Sequence, residues 1–234
     1  MNLILLSLAP VFIIAGYIYY RDKYEKEPLQ LLWKALLAGA LIVIPVLFTE
    51  RFLSLFLPLF PGILNAAYNA FVVAAFTEES FKFLALFLLF WRTSTFSEKF
   101  DGIVYATFIS LGFAGVENVL YVLEYGVSTG ITRAITAVPA HAVFGVTMGF
   151  YAGQARFYEK QKKELLRKAI GMPVLLHGIY DFILMTGYNW LVVWIGFVVF
   201  LYFTALKRIK TLSDQSIFNT DYNLLNEKFT KKQE

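Results

Sequence analysis

Runs of about twenty apolar residues, the length needed to cross the hydrocarbon core of a bilayer, recur along this chain and leave little room for a soluble fold. Helices are expected at roughly 2–20, 31–50, 64–91, 101–125, 131–157, 166–187 and 189–207, giving an all-α polytopic membrane protein of about seven transmembrane helices. The composition agrees, since 58% of residues are hydrophobic and only 16% charged, too apolar a balance for an ordinary soluble domain. The stretch from Arg51 to Pro61 is apolar but short and closed by prolines, which suits an interfacial or re-entrant segment. The first span lacks a basic start and a small-residue cleavage site, so it reads as a retained helix and not a cleaved leader.

Basic residues sort by side. Arg21, Lys23 and Lys26 follow the first span, Arg92 and Lys99 the third, and Arg156, Lys160, Lys162, Lys163, Arg167 and Lys168 the fifth. Lys207, Arg208, Lys210, Lys228, Lys231 and Lys232 join them at the carboxyl end, whereas the opposite loops carry only Arg51 and Arg133. Positively charged loops stay cytoplasmic, so the amino terminus is expected outside and the carboxyl terminus inside. Residues 1–210 form one expected helical unit and 211–234 a short cytoplasmic tail. The net charge of +4 is therefore an address within the bilayer, with no nucleic-acid partner implied. The chain has no cysteine, which excludes disulfides, thiolate metal sites and a cysteine nucleophile.

Ionisable groups at membrane depth cost several kcal/mol each unless paired or hydrated, and four spans concentrate them. The third holds Glu78, Glu79 and Lys82, the fourth Glu117 and Asn118, the fifth His141, and the sixth His177 and Asp181. Glu78 and Lys82 are four apart and Glu79 and Lys82 three apart, so either carboxylate can sit beside the ammonium, while the adjacent glutamates point about 100° apart. One glutamate is expected to pair and the other to work. His177 and Asp181 share a face by the same spacing. Counting about 1.5 Å per residue from the outer ends puts Glu78 roughly 21 Å deep, Glu117 roughly 12 Å, and His141 and His177 roughly 15 Å. A single polar cavity is the economical reading. Ala137, His141, Gly145, Gly149 and Gly153 line one stripe, and Ala106, Ser110, Ala114 and Asn118 another, so these faces are expected to pack inside. Glu50, Arg51 and Glu124 fall near expected helix ends and are read as facing water.

The motifs Glu78-Glu79-Ser80-Phe81-Lys82 (E-E-x-x-K), Phe113 to Glu117 (F-x-x-x-E) and His177 to Asp181 (H-x-x-x-D), with His141, Phe144 and Gly149 between them, occur in order on four spans. This set resembles the PrsW family of intramembrane proteases, which is similar to the wider group of CAAX prenyl proteases and bacteriocin-processing enzymes. The resemblance covers residues 1–207 and implies a multi-pass protein of the bacterial plasma membrane. It also implies that the partner is a single-span, anti-sigma-factor-like membrane protein, cut in a stress response, with Glu78, Glu79, Lys82, Glu117, His141, His177 and Asp181 as the catalytic set. Relatives that process prenylated proteins carry a histidine where this chain has Glu117, so their mechanism does not transfer intact.

Peptide hydrolysis needs an activated water and a stabilised oxyanion. A helix-three glutamate is the candidate base, His177 supported by Asp181 the oxyanion donor, Lys82 the anchor of the second glutamate, and Glu117 with His141 the remainder of the water site. Two histidines with two or three carboxylates also form a plausible zinc set, although H-E-x-x-H is absent. A proton-coupled transporter or channel would use the same residue types, but no pair of similar halves or matching broken spans is apparent. A seven-helix receptor or scaffold would not need so many ionisable groups at one depth.

Overall fold

The computed structural model describes residues 3–187 and 190–219. Among these the chain is helical and without strands, with α1 (Leu3–Arg21), α2 (Leu29–Ser54), α3 (Ile63–Tyr68), α4 (Thr77–Leu89), α5 (Lys99–Tyr125), α6 (Val127–Ile135), α7 (Ala137–Phe157), α8 (Lys162–Met185) and α9 (Leu191–Asp214). A π-helical segment, Asn69–Phe76, joins α3 to α4 without a break. Five helical stretches are long and apolar enough to cross a membrane among the described residues: Leu29–Leu59, Lys99–Tyr125, Val127–Phe157, Glu159–Met185 and Leu191–Asp214. The other two of the seven expected spans, which correspond to α1 and to the composite rod through α3, the π segment and α4, are not among these five. The part of the expected tail at 220–234 lies outside the described residues.

Two expected boundaries move, each for a physical reason. The fifth span divides into α6 and α7 because Pro139 has no N–H to give the carbonyl of Ile135, so a new helix starts with proline in its first turn. The stretch after Glu50 is not a separate segment at first, since α2 runs on to Ser54 before a short 3-10 turn at Leu57–Leu59.

α5 is the hub. Every residue from Phe100 to Gly115 is buried, and α1, α2 and α7 pack around it. The α5–α7 approach is backbone to backbone: a Cβ on Gly149 would lie 2.1 Å from the carbonyl oxygen of Gly102, and one on Gly153 2.1 Å from that of Lys99. Only glycine fits such crossings, and both expected small-residue stripes do face the interior. Asn118 Nδ2 donates to the Ser7 carbonyl at 3.0 Å, tying α1 to α5.

The end rich in arginine and lysine is held by polar contacts. Arg156 spreads its guanidinium over the carbonyls of Trp91, Thr93 and Phe96, fastening the α4–α5 loop to α7. Glu98 and Asp101 form a capping box at the start of α5. Around the bundle, Leu37, Leu41, Ile44, Phe48, Leu88, Val192 and Phe203 stay exposed, an apolar girdle suited to lipid and costly in water.

Candidate active site

The site is assembled around the first turns of α4. The wide turns of the π segment feed directly into Thr77, Glu78 and Glu79, and Thr77 Oγ1 donates back to Val72 O at 3.3 Å. Such π segments often mark functional positions. One helical turn on, Lys82 Nζ donates to Glu78 Oε2 at 3.0 Å and to Glu79 Oε1 at 2.8 Å. Thus Lys82 grips both glutamates, where the spacing alone suggested that only one would pair. Its ammonium lies 4.2 Å from the centre of the Phe113 ring, so the phenylalanine of F-x-x-x-E roofs the cation.

The two histidines close the assembly from α7 and α8. His141 Nδ1 stands 3.1 Å from Lys82 Nζ and its Nε2 2.9 Å from Glu117 Oε2. An ammonium only donates, so Nδ1 accepts and the ring proton sits on Nε2, directed at Glu117. His177 Nδ1 meets Glu79 Oε1 at 3.0 Å, and its Nε2 meets Asp181 Oδ2 at 3.2 Å. With a carboxyl at each nitrogen, either the ring carries both protons or one carboxyl supplies its own. The imidazoles stand 5.2 Å apart and nearly perpendicular, and Phe144 stacks on His177 at 4.7 Å.

All seven residues singled out in the sequence therefore belong to one connected network, from Asp181 through His177, Glu79, Lys82 and His141 to Glu117, with Glu78 branching from Lys82. Glu79, Lys82, His141 and His177 are each less than 5% exposed. One oxygen of Glu79 has no hydrogen-bond partner.

A cavity of about 1110 Å³ lies over the network, at the end of the bundle away from the arginine- and lysine-rich loops. Glu78, Glu117, His141, His177 and Asp181 line it, whereas Glu79 and Lys82 are sealed behind. Two further charged residues in the cavity wall bear on the site. Arg133 of α6 lies 2.8 Å from Glu117 Oε2 and 3.8 Å over the Tyr121 ring; its isolation as a cation in an otherwise uncharged stretch was the available signal. Glu50, read as a water-facing terminal residue, is half-buried in the wall because α2 continues one turn beyond it.

Glu78, Glu79, His141 and His177 present donor atoms within 4.8 Å of one another, a set of the kind that holds a divalent ion. The ammonium of Lys82, however, is within 3.1 Å of donor atoms on Glu78, Glu79 and His141. His141 Nδ1 has a single lone pair and cannot serve a metal ion and that ammonium together, and the ammonium's positive charge opposes a divalent ion among the same carboxylates. With Lys82 in place the set does not fit a metal.

Comparison with known proteins identifies the family. The family described as PrsW family intramembrane metalloprotease matches residues 27–206. The chain is 38% identical to Protease PrsW of Geobacillus kaustophilus, over 89% of this chain and 91% of that protein. It is 38% identical to Protease PrsW of Shouchella clausii, over 91% and 97% respectively, and 36% identical to that of Bacillus subtilis, over 87% and 92%. No solved structure matches it. The matched region contains every residue of the network just described, and this chain is a multi-pass membrane protein belonging to the PrsW family of intramembrane proteases.

Proposed function

We propose that the protein is an intramembrane endopeptidase that cuts a single-span, anti-sigma-factor-like membrane protein in a bacterial plasma membrane, with Glu78 as the base that activates water. The observation that carries this reading is the asymmetry of the two glutamates. Glu78 lines the cavity with Oε1 unbound by the described residues, while Glu79 is closed off behind Lys82 and His177. Seven spans, formed by α1, α2, the α3–α4 rod, α5, α7, α8 and α9, with the basic loops cytoplasmic, place the cavity toward the outer side. The catalytic unit is residues 1–210, and its role is in a stress response.

In this mechanism Glu78 takes a proton from water as the oxygen attacks the scissile carbonyl carbon. The negative oxygen so formed accepts a hydrogen bond from His177 Nε2–H, which it shares with Asp181, while Glu79 at Nδ1 holds the ring in place. Glu78 then returns the proton to the amide nitrogen as the C–N bond breaks. Lys82 keeps Glu78 from swinging away, and His141 with Glu117 and Arg133 walls the water pocket. The family description implies a metal, but the position of Lys82 leaves no step to route through one.

Cleavage of a panel of single-span substrates in liposomes tests the proposal. Wild type is expected to cut, with and without chelator, and Glu78→Gln and His177→Ala are expected not to. Cutting that survives in both Glu78→Gln and Glu79→Gln would sink it, and proton flux lost with Glu117 in place of cutting would move a transporter to the front.

A further inference from the structure

Of the buried and half-buried carboxylates in the cavity wall, Glu50 is the one without an ion pair among the described residues; Glu124, at the rim, is exposed. Glu78 is held by Lys82, Glu117 by Arg133 and His141, and Asp181 by His177. On its own helix the positions three and four residues away are Val46, Leu47, Leu53 and Ser54, none of them basic. Arg51 is exposed and about 100° further around the helix. Glu50 nevertheless lines the same cavity as Glu78, Glu117 and His177, which places it in the same field as the reacting groups.

The cavity as a whole has the same imbalance. Glu50, Glu78, Glu117, Glu124 and Asp181 line it against Arg51 and Arg133. Glu79 and Lys82, behind the wall, add no net charge. A negatively charged recess with apolar sides, Val43, Val46 and Leu47 among them, attracts a cation on a long apolar stem. A half-buried carboxylate left unpaired in the resting protein is costly, and a substrate side chain that pairs with it offsets the cost.

Building on the protease reading, we infer that Glu50 is a specificity residue, selecting substrates with a lysine or arginine in the segment that enters the cavity beside the scissile bond. Glu50 lies about 6 Å inside the end of α2, four residues before Ser54. The cation therefore belongs on the side of the cut nearer the cavity mouth, within a few residues of it. The charge acts on binding of the extended segment, so it appears in KM and in the choice among substrates.

The test uses three single-span substrates identical except for one position on that side of the cut, carrying Lys, Gln or Glu. They are presented in liposomes to the full chain as wild type, Glu50→Gln and Glu50→Arg. Wild type is expected to favour Lys over Glu by about tenfold in kcat/KM, the effect of one partly buried charge pair. Glu50→Gln is expected to bring that ratio close to one, and Glu50→Arg to invert it, a rescue that a misfolded variant cannot give. A wild-type preference that persists in Glu50→Gln, or no wild-type preference at all, overturns the assignment. Photo-crosslinking of the same substrates reads binding alone. If nothing is cut but the Lys substrate crosslinks best to wild type and loses that advantage in Glu50→Gln, the cation site stands and the protease reading falls.

Discussion

Lys82 Nζ lies 3.1 Å from Nδ1 of His141, so a cation on α4 and an imidazole on α7, 59 residues apart in sequence, are joined by a direct hydrogen bond. Because the ammonium can only donate, this one contact decides which nitrogen of His141 carries the proton and aims it at Glu117. The same ammonium holds both glutamates. One side chain therefore sets the protonation pattern of the whole network.

Removing it has a specific expected outcome. Lys82→Met keeps much of the volume but frees the donors of Glu78, Glu79 and His141, which already lie close enough to one another and to His177 for a divalent ion. Zinc is expected at about one equivalent per chain in purified Lys82→Met after incubation and desalting, with wild type retaining far less. Elemental analysis of the two proteins decides the matter, and equal, stoichiometric zinc in both would show that Lys82 does not compete for the site.

The two glutamates are expected to fail differently when each is replaced by glutamine. Glu78→Gln removes the base and is expected to lower cleavage by roughly 10²–10⁴-fold while leaving the thermal transition near that of wild type. Glu79 is fully buried and bonded to both Lys82 and His177, so Glu79→Gln is expected to cost about 3 kcal/mol of stability. Thermal unfolding in detergent alongside cleavage separates the two effects. A Glu79→Gln protein as stable as wild type would mean that its buried pairs hold nothing together.

The parts of this site that were legible in the sequence are those fixed by helical spacing. Glu78, Glu79 and Lys82, and His177 with Asp181, are three or four apart, and a helix puts such residues side by side whatever surrounds it. The glycine and alanine stripes were readable for the same reason. Contacts between helices were not, because depth counted along a rod says nothing of rotation about it: Lys82 to His141 and Arg133 to Glu117 are of this kind. Glu50 was misplaced by a boundary error of one turn, since the helix was expected to end at 50 and ends at Ser54. The break before α7 had a visible cause, Pro139, which a count of apolar residues passes over.

The α5–α7 crossing provides a test of packing independent of chemistry. A methyl group on Gly149 would overlap the Gly102 carbonyl, whereas at Gly196 nothing lies within 4 Å. Backbone cannot yield as a side-chain tip can, so Gly149→Ala is expected to cost about 3 kcal/mol or to prevent folding. Gly196→Ala, on a helix with open space beside it, is expected to stabilise by about 0.5 kcal/mol. Unfolding of both variants in SDS or by heat checks the contrast, and a Gly149→Ala protein indistinguishable from wild type would mean that the helices cross further apart than described.

At the opposite end of the bundle a second group of acids makes stability depend on pH. Glu27 N–H donates to Asp22 Oδ2 at 2.9 Å, the Tyr105 hydroxyl donates to Glu27 Oε2, and Asp101 Oδ2 accepts from the N–H groups of Ser97 and Glu98. Burial is the main influence on these carboxyls: Asp22 is pushed up to about 6, Glu27 to about 7 and Glu98 to about 7, with the neighbouring acids adding to the rise. The folded protein thus holds these protons more tightly than the unfolded chain, where the same groups titrate at 3.8 and 4.5. Ionising them in place costs nothing below about pH 4, costs progressively more between about pH 4 and 7, and is fully felt above about pH 7. The thermal midpoint is accordingly expected to rise by several degrees when the pH is lowered from about 8 to about 5.5. Glu27→Gln keeps an acceptor for Tyr105 without the charge, so it is expected to raise the midpoint near pH 8 and to flatten the slope. A slope identical in wild type and Glu27→Gln would remove Glu27 as its source.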